Sequence, residues 1–366
     1  MRMKNLLRTL VLVVVVLLAL QLTRREQTLV ILSTNDMHGK IQRFPHLTTA
    51  VEACRDTVDR VLLVDAGDRW TGNAYVDKVS LPGRPIVELM NEVGYDVVTL
   101  GNHEFDFGQA HLGGVLDSLC RFEVVCANVE SDTTTFAPVA PYTIVERGGV
   151  KIGVVGVVTY YEGQGTPAGN KSSYVGLRFS DPQEAAIRAA DVLRNKVDVL
   201  VLLSHMGHDR DLALAERYGG YDVIIGGHTH ARVDTLINNT TIGQTYCRLE
   251  NVGATTIRMK GNKIVSIEYR NIPLAQYDED AQTKDLVRQI ENDPVLGATV
   301  GTLAADVTSR AGFAQLIIDA IVEGAGAEIG FYHYGGIRLR KHAAGDIKLA
   351  TVYNLEPFES KIHKQA

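Results

Sequence analysis

Five short segments concentrate the residues able to bind metals or move protons. They are "NDMHG" with Asp36 and His38, "DAGD" with Asp68, "GNHEFD" with Asn102 and His103, "SHMGHD" with His205, and "GGHTH" with His228 and His230. Carboxylate, imidazole and amide oxygen together suit borderline divalent ions such as Zn, Mn, Co or Fe. The absence of neighbouring thiolates argues against a closed structural zinc site. Counting one shared carboxylate, the set offers four protein ligands to each of two metals. A metal pair about 3.5–4 Å apart suits displacement at phosphorus, because the ions activate a water and neutralise phosphate oxygens as charge develops. Asp68, between the two halves of the set, is the candidate bridge. Each segment alone also reads as a capped polar loop; the conjunction of five loops with one metal preference points to a site.

Such groups converge only if the chain holds them at one edge. The loops follow runs such as "TLVILST", "RVLLVDAGD", "YDVVTL", "VDVLVLLS" and "YDVIIGG", which are continuously apolar and therefore read as strands buried on both faces. Between them "FPHLTTAVEACRD", "RPIVELMNEVG" and "DPQEAAIRAADVLRN" read as helices. Alternation of this kind is an α/β signature, in which ligands gather beyond the carboxyl ends of the strands. The runs "YTIVERGGVKIGVVGVV" and "TIGQTYCRLENVGATTIRMKGNKIVSIEYRNI" alternate more and read as antiparallel strands, with turns at Gly148-Gly149 and Gly261-Asn262. After "NIPLAQYDEDAQTKD" the character changes. The expected division is a main domain over 28–275, a linker over 276–298 containing a helical stretch from Thr283 to Glu291, and part of a smaller α/β domain over 299–366.

The chain of 366 residues is long enough for a full core, and its net charge of -6 provides no general field for a nucleic-acid polymer. A small-molecule substrate is expected instead. Residues 1–27 begin with a basic, acid-free stretch followed by the apolar run Thr9–Leu22, which is short for a membrane span. A cleaved signal peptide and an uncleaved membrane anchor both fit. Either places the bulk of the chain outside the cytoplasm, secreted, periplasmic or on the cell surface. Cys54, Cys120, Cys126 and Cys247 show no paired spacing and read as buried free thiols, with a Cys120–Cys126 bridge as the alternative.

The order Asp-x-His, Gly-Asp, Gly-Asn-His-Glu, His, Gly-His-x-His resembles the calcineurin-like metallophosphatase superfamily. "NDMHG", "GNHEFDFG", "CANVES" and "GGHTH" resemble its secreted 5'-nucleotidase branch, over Leu29 to about Ile272. The resemblance implies a four-layer α/β/β/α sandwich with two metals at one edge. It assigns Asp36, His38 and His230 to one metal and Asn102, His205 and His228 to the other, with Asp68 bridging. It makes His103 a catalytic imidazole oriented by Asp106. Glu104 is left as a helix-start carboxylate. Further on, "YHYGGIRLRKHAAGDIKLATVYNLEPFES" resembles a truncated 5'-nucleotidase C-terminal domain. That resemblance implies, by position, that Arg338 contacts the ribose or phosphate side of a nucleotide and that Phe358 is one face of a clamp on the base. The second aromatic falls beyond this segment, in residues missing from a truncated product or supplied by a separate chain.

The expected activity is that of a secreted two-metal phosphohydrolase, which releases phosphate from nucleoside 5'-monophosphates through attack of metal-bound hydroxide. A 2',3'-cyclic nucleotide or a nucleotide sugar is an alternative substrate within the same chemistry. A non-catalytic nucleotide- or metal-binding surface protein is an alternative from another class.

Overall fold

The apolar runs become strands because both of their faces find cover. In the computed structural model, which describes residues 26–131, 139–358 and 360–364, two six-stranded sheets pack face to face. The first contains β1 (Glu26–Thr34), β2 (Val61–Asp65), β3 (Val97–Thr99), β4 (Glu123–Val125), β13 (Asn251–Lys260) and β14 (Lys263–Pro273), in the order β14-β13-β1-β2-β3-β4. The second contains β6 (Tyr142–Arg147), β7 (Val150–Val158), β9 (Val199–His205), β10 (Val223–Gly226), β11 (Arg232–Ile237) and β12 (Thr240–Thr245), in the order β11-β12-β10-β9-β7-β6. Two smaller ribbons pair β5 (Val129–Ser131) with β8 (Leu177–Phe179) and β15 (Thr299–Leu303) with β16 (Gly345–Lys348).

Side-chain alternation divides each strand between two cores. Leu29, Ile31, Leu62 and Val64 meet Ile152, Val154, Val201 and Val223 between the sheets. Their neighbours Val30, Leu32, Val61 and Leu63 point outward to a helical layer. That layer holds α1 (Phe44–Arg55) and α3 (Arg84–Val93), with the short α2 (Ala74–Asp77) and α4 (Gln109–Leu119) beside them. On the far side α5 (Pro182–Leu193) and α6 (His208–Arg217) cover Val155, Leu200, Leu202 and Ile224. This is the expected α/β/β/α sandwich. Parallel pairing of β1, β2 and β3, and of β7, β9 and β10, brings their carboxyl ends to one edge.

Both expected turns are present, joining β6 to β7 at Gly148-Gly149 and β13 to β14 at Gly261-Asn262. The glycine pair has positive φ at both positions, the backbone of a two-residue hairpin turn. A third hairpin turn, Asn238-Asn239, joins β11 to β12. The run from Thr241 to Ile272 is not uniformly antiparallel. Its first strand, β12, lies parallel to β10 in one sheet, whereas β13 and β14 complete the other. The crossing takes place at Tyr246, Arg248 and Leu249, all with positive φ, a backbone that lets the chain leave one sheet and enter the next. All four cysteines are free thiols, so the Cys120–Cys126 bridge is not formed.

The connector 276–298 is not a bare linker, since it carries α7 (Ala281–Glu291), capped by Asp280 through the Thr283 amide. The Thr283 hydroxyl meets that of Thr48 on α1 at 2.9 Å, and Val287 is buried in the main core. The C-terminal segment adds α8 (Arg310–Ala325) and α9 (Leu349–Leu355). It touches the main domain where Ala350 meets Ala74 and Leu296 and where Asn354 Oδ1 accepts from the Ala74 amide at 2.6 Å. The N-terminal segment, where a signal or anchor is expected, and Glu359 lie outside the described residues. Among the described residues no helix is long and apolar enough to cross a membrane.

Ile31 is fully buried between the sheets, whereas Val265 is 62% exposed. Ile31→Ala is expected to lower the unfolding free energy by about 2–5 kcal/mol. Val265→Ala should change it by less than about 0.5 kcal/mol. Urea unfolding of the two variants checks the contrast.

Candidate metal centre

All seven ligand candidates lie at that one edge, on loops after β1, β2, β3, β9 and β10, or at their last residue. Three overlapping groups have their donor atoms within reach of one ion: Asp36, His38 and His230; His38, Asp68 and His103; and Asp68, His205 and His228. Asn102 joins the third group, its Oδ1 lying 3.1 Å from His228 Nδ1. Asp68 therefore stands between the two halves of the set.

The backbone shows how these residues are brought in. Asp36, His38, Asp68, His228 and His230 all have φ between 47° and 74°, the left-handed region that side-chain-bearing residues seldom occupy. Ties between loops hold this conformation. The Asp36 amide donates to Gly67 O and the His38 amide to Asp68 O, so the loops after β1 and β2 continue as a pair beyond the sheet. The Asp36 carboxylate accepts from the His228 amide at 3.0 Å, linking the two sheets. Asn35 orients that carboxylate through a 2.6 Å hydrogen bond, and its own Oδ1 accepts from the Thr245 amide and hydroxyl.

Glu104 has a larger role than a helix-start carboxylate. Although it sits in the turn after Asn102, it is fully buried and accepts from the amides of Gly101, Asp68 and Arg69. It also lies 3.7 Å from Arg69 Nε, while Arg69 Nη1 reaches Asp65 and the Thr99 carbonyl. One carboxylate thus fastens the loop of the candidate bridge to the loop of Asn102 and His103. Asp77 acts similarly beside them, accepting from the amides of Thr71, Gly72 and Asn73. Glu104 reaches Asp68 and Arg69 across 36 and 35 positions, so its only local sign is a carboxylate three residues after Gly101, whereas the partners of Asp77 lie four to six residues before it.

The electrostatics suit cation binding. Burial works against the Asp68 carboxylate, but His205, His103 and His38 outweigh it and hold its pKa well below the usual range. Burial also disfavours the charged form of His205, yet Asp68 raises it to about 10. Burial and repulsion from His205 push His228 down to about 4, which leaves it neutral with a lone pair to offer. His205 Nε2 is buried and makes no hydrogen bond, although Asp68 Oδ2 is 3.1 Å away. That unsatisfied nitrogen and the mixed carboxylate, imidazole and amide donors fit a divalent ion, whose binding would displace the protons these histidines carry.

His103 stands apart from the ligand candidates in its partner. Its Nδ1 meets Asp106 Oδ2 at 2.7 Å, as expected, and its amide donates to Asp68 Oδ1 at 2.9 Å. Burial disfavours the imidazolium, but Asp68 and Asp106 outweigh it and raise the pKa to about 9. The Phe358 ring lies 6.2 Å from the His103 ring, and the Arg338 guanidinium is 5.5 Å from the centre of Phe358. Together they line a cleft of about 590 Å³, which also includes Lys78, Asn170 and His333.

Glu104→Gln weakens the three-amide tie and leaves Arg69 with one anionic partner, Asp65. The expected result is a loss of about 3–5 kcal/mol in stability, measured by denaturant unfolding. A variant as stable as the parent would show that Glu104 does not hold the loops.

The sequence profile of the calcineurin-like phosphoesterase family matches residues 29–232, and that of the 5'-nucleotidase C-terminal domain matches residues 287–364. The trifunctional nucleotide phosphoesterase protein YfkN of Bacillus subtilis (strain 168) is 28% identical over 392 residues, covering 92% of this chain and 26% of that protein. Endonuclease YhcR of the same strain is 28% identical over 389 residues, covering 91% of this chain and 31% of its own length. A snake venom 5'-nucleotidase of Gloydius brevicauda is 32% identical over 227 residues, covering 55% of this chain and 37% of that protein. The chain therefore spans between 26% and 37% of the length of these relatives. The crystal structure of a 5'-nucleotidase precursor from Thermus thermophilus shares the fold, with a TM-score of 0.77 at 24% identity over 90% of this chain and 74% of that one. With 204 of its 366 residues matched by the family profile over the stretch that carries the clustered ligands, the chain belongs to the calcineurin-like phosphoesterase family.

Proposed function

We propose that the chain is a metal-dependent phosphohydrolase that removes phosphate from nucleoside 5'-monophosphates outside the cytoplasm. The observation that carries this reading is the cleft in which the His103–Asp106 pair, Arg338 and Phe358 converge beside the clustered ligands. Asp36, His38, Asp68 and His230 would hold one divalent ion, and Asp68, Asn102, His205 and His228 the other. Such ions supply Lewis acidity to a phosphoryl oxygen and to an attacking water.

The protein's own groups then divide the work. Asp106 holds His103 through Nδ1, so Nε2 is the nitrogen free to donate to the departing oxygen of the ester. A pKa of about 9 keeps that proton in place at neutral pH, and cations held by the neighbouring ligands would lower it towards the range where transfer is efficient. Arg338 supplies a positive charge for phosphate or ribose oxygens, and Phe358 an aromatic face that stacks on a base of any identity. On this reading hydrolysis belongs to residues 28–275 and substrate choice to residues 299–366.

Support for a nucleotide comes from the names of the relatives, which include a trifunctional nucleotide phosphoesterase and a 5'-nucleotidase. The word trifunctional admits more than one nucleotide ester, and 2',3'-cyclic nucleotides or nucleotide sugars are the second substrate reading within the same chemistry. Export rests on the basic-then-apolar segment before residue 26; a mature N-terminus found at residues 20–28 would support cleavage, and an intact Met1 would support an anchor.

Phosphate release from AMP, a 2',3'-cyclic nucleotide and glycerol phosphate is the direct test. Activity on AMP should vanish on chelation and return with Mn, Co or Zn. His103→Ala should lower kcat by about 10²–10⁴-fold. Phe358→Ala should raise KM for AMP about tenfold without changing that for glycerol phosphate. No metal-restored hydrolysis of AMP would refute the reading, and a preference for the cyclic ester would transfer it to that substrate.

A further inference from the structure

The four histidines among the ligand candidates are not oriented alike. A neutral imidazole offers a lone pair on one nitrogen and a proton on the other, and the acceptor of that proton decides which nitrogen faces a metal. For His38 and His205 the acceptors are main-chain carbonyls, Thr71 O at 3.0 Å and Ala66 O at 2.6 Å from Nδ1. Both rings therefore turn Nε2 into the cluster. His230 likewise directs Nε2 inward, 3.2 Å from Asp36 Oδ1.

His228 is reversed. Its Nδ1 faces Asn102 Oδ1, so Nε2 points away from the cluster and meets the hydroxyl of Tyr161 at 3.1 Å. We infer that Tyr161 is the outer partner that fixes His228 as an Nδ1 ligand, and is thereby a positioning residue for the ion shared by Asp68, Asn102, His205 and His228. This inference rests on the metal-dependent reading above.

The loop after β7 is folded around this tyrosine. The Tyr161 amide donates to Thr166 O at 3.1 Å, and its carbonyl accepts from the amides of both Gln164 and Gly165 at 2.9 Å. Three main-chain hydrogen bonds thus set the origin of a side chain that is itself 41% exposed. A phenol oxygen accepts the imidazole proton as a carbonyl does, but it belongs to a side chain and can be removed without disturbing the main chain. Because the residue is exposed, removing its oxygen opens no cavity in the core. Water can replace part of the lost hydrogen bond, which places the effect at the lower end of the range seen for outer partners of metal-binding histidines.

The test is calorimetric titration of the chelator-stripped full chain with Mn²⁺, and with Co²⁺ followed by its visible absorption. The parent should take up two ions, and His228→Ala should lose one binding step. Tyr161→Phe should weaken that same step by about tenfold and alter the Co²⁺ spectrum, with the other step and the melting temperature of the stripped protein unchanged. Tyr160→Phe is the control and should match the parent. Two ions bound by Tyr161→Phe within about twofold of parental affinities would overturn the inference and leave the metal reading standing. Failure of the parent to bind two ions would overturn both.

Discussion

A carboxylate buried at the junction of two sheets is the constraint around which this edge of the molecule is organised. Asp68 is almost wholly withdrawn from water, a position that favours the neutral acid unless positive charge and hydrogen-bond donors surround it. They do: the His103 amide donates to Oδ1, His205 approaches Oδ2, and the His103 imidazolium adds its charge, so the ionised form prevails. Such an arrangement is stable only while every partner stays in place, because losing one leaves a charge buried without compensation. The loops therefore have little freedom. Gly101 illustrates this, since a Cβ there would lie 2.2 Å from Asp68 Oδ1. The glycine of "GNHEFD" is the room in which the carboxylate sits.

The left-handed backbone at five ligand candidates has the same origin. A single positive φ on a residue with a side chain is costly, and five at one edge persist only when the surroundings determine them several times over. Glu104 and Asp77 supply much of that determination, each gathering three amides with one side chain. The consequence is a cluster whose donors are held close together by the protein. A cation entering it meets preformed geometry and does not have to order the loops.

The path from sequence to this picture was direct wherever the signal was local. Runs such as Val61–Asp65 are apolar throughout, and the fold buries both of their faces; the polar residues that end each run fall at one edge because the strands are parallel. The ligand candidates were legible because their chemistry is concentrated in a few residues at strand ends. What escaped was supplied by distant parts of the chain. Glu104 looked idle because its partners Asp68 and Arg69 belong to another loop, and α7 looked like linker because Thr283 meets Thr48, and Val287 enters the main core, only in three dimensions. Tyr161 carried no signal at all, as its one notable contact is with a histidine 67 positions away.

The two parts of the chain meet electrostatically as well as sterically. Burial lowers the proton affinity of both His38 and His103, and Arg338, from the C-terminal segment, adds to it, opposing the carboxylates that raise that of His103. Burial in turn weakens the preference of Arg338 for its charged state, and Arg248 adds repulsion. A guanidinium beside a protonated imidazole is a poor arrangement until an anion arrives. On the proposed reading, a phosphate monoester bearing negative charge near Arg338 offsets that repulsion and stabilises the His103 imidazolium it is about to use. Substrate binding and proton donation are then coupled through one guanidinium, although the arginine belongs to one part of the chain and the histidine to the other. On the same reading, a substrate whose base packs against Phe358 would bring its phosphate towards Arg338, whose guanidinium lies 5.5 Å from the centre of that ring.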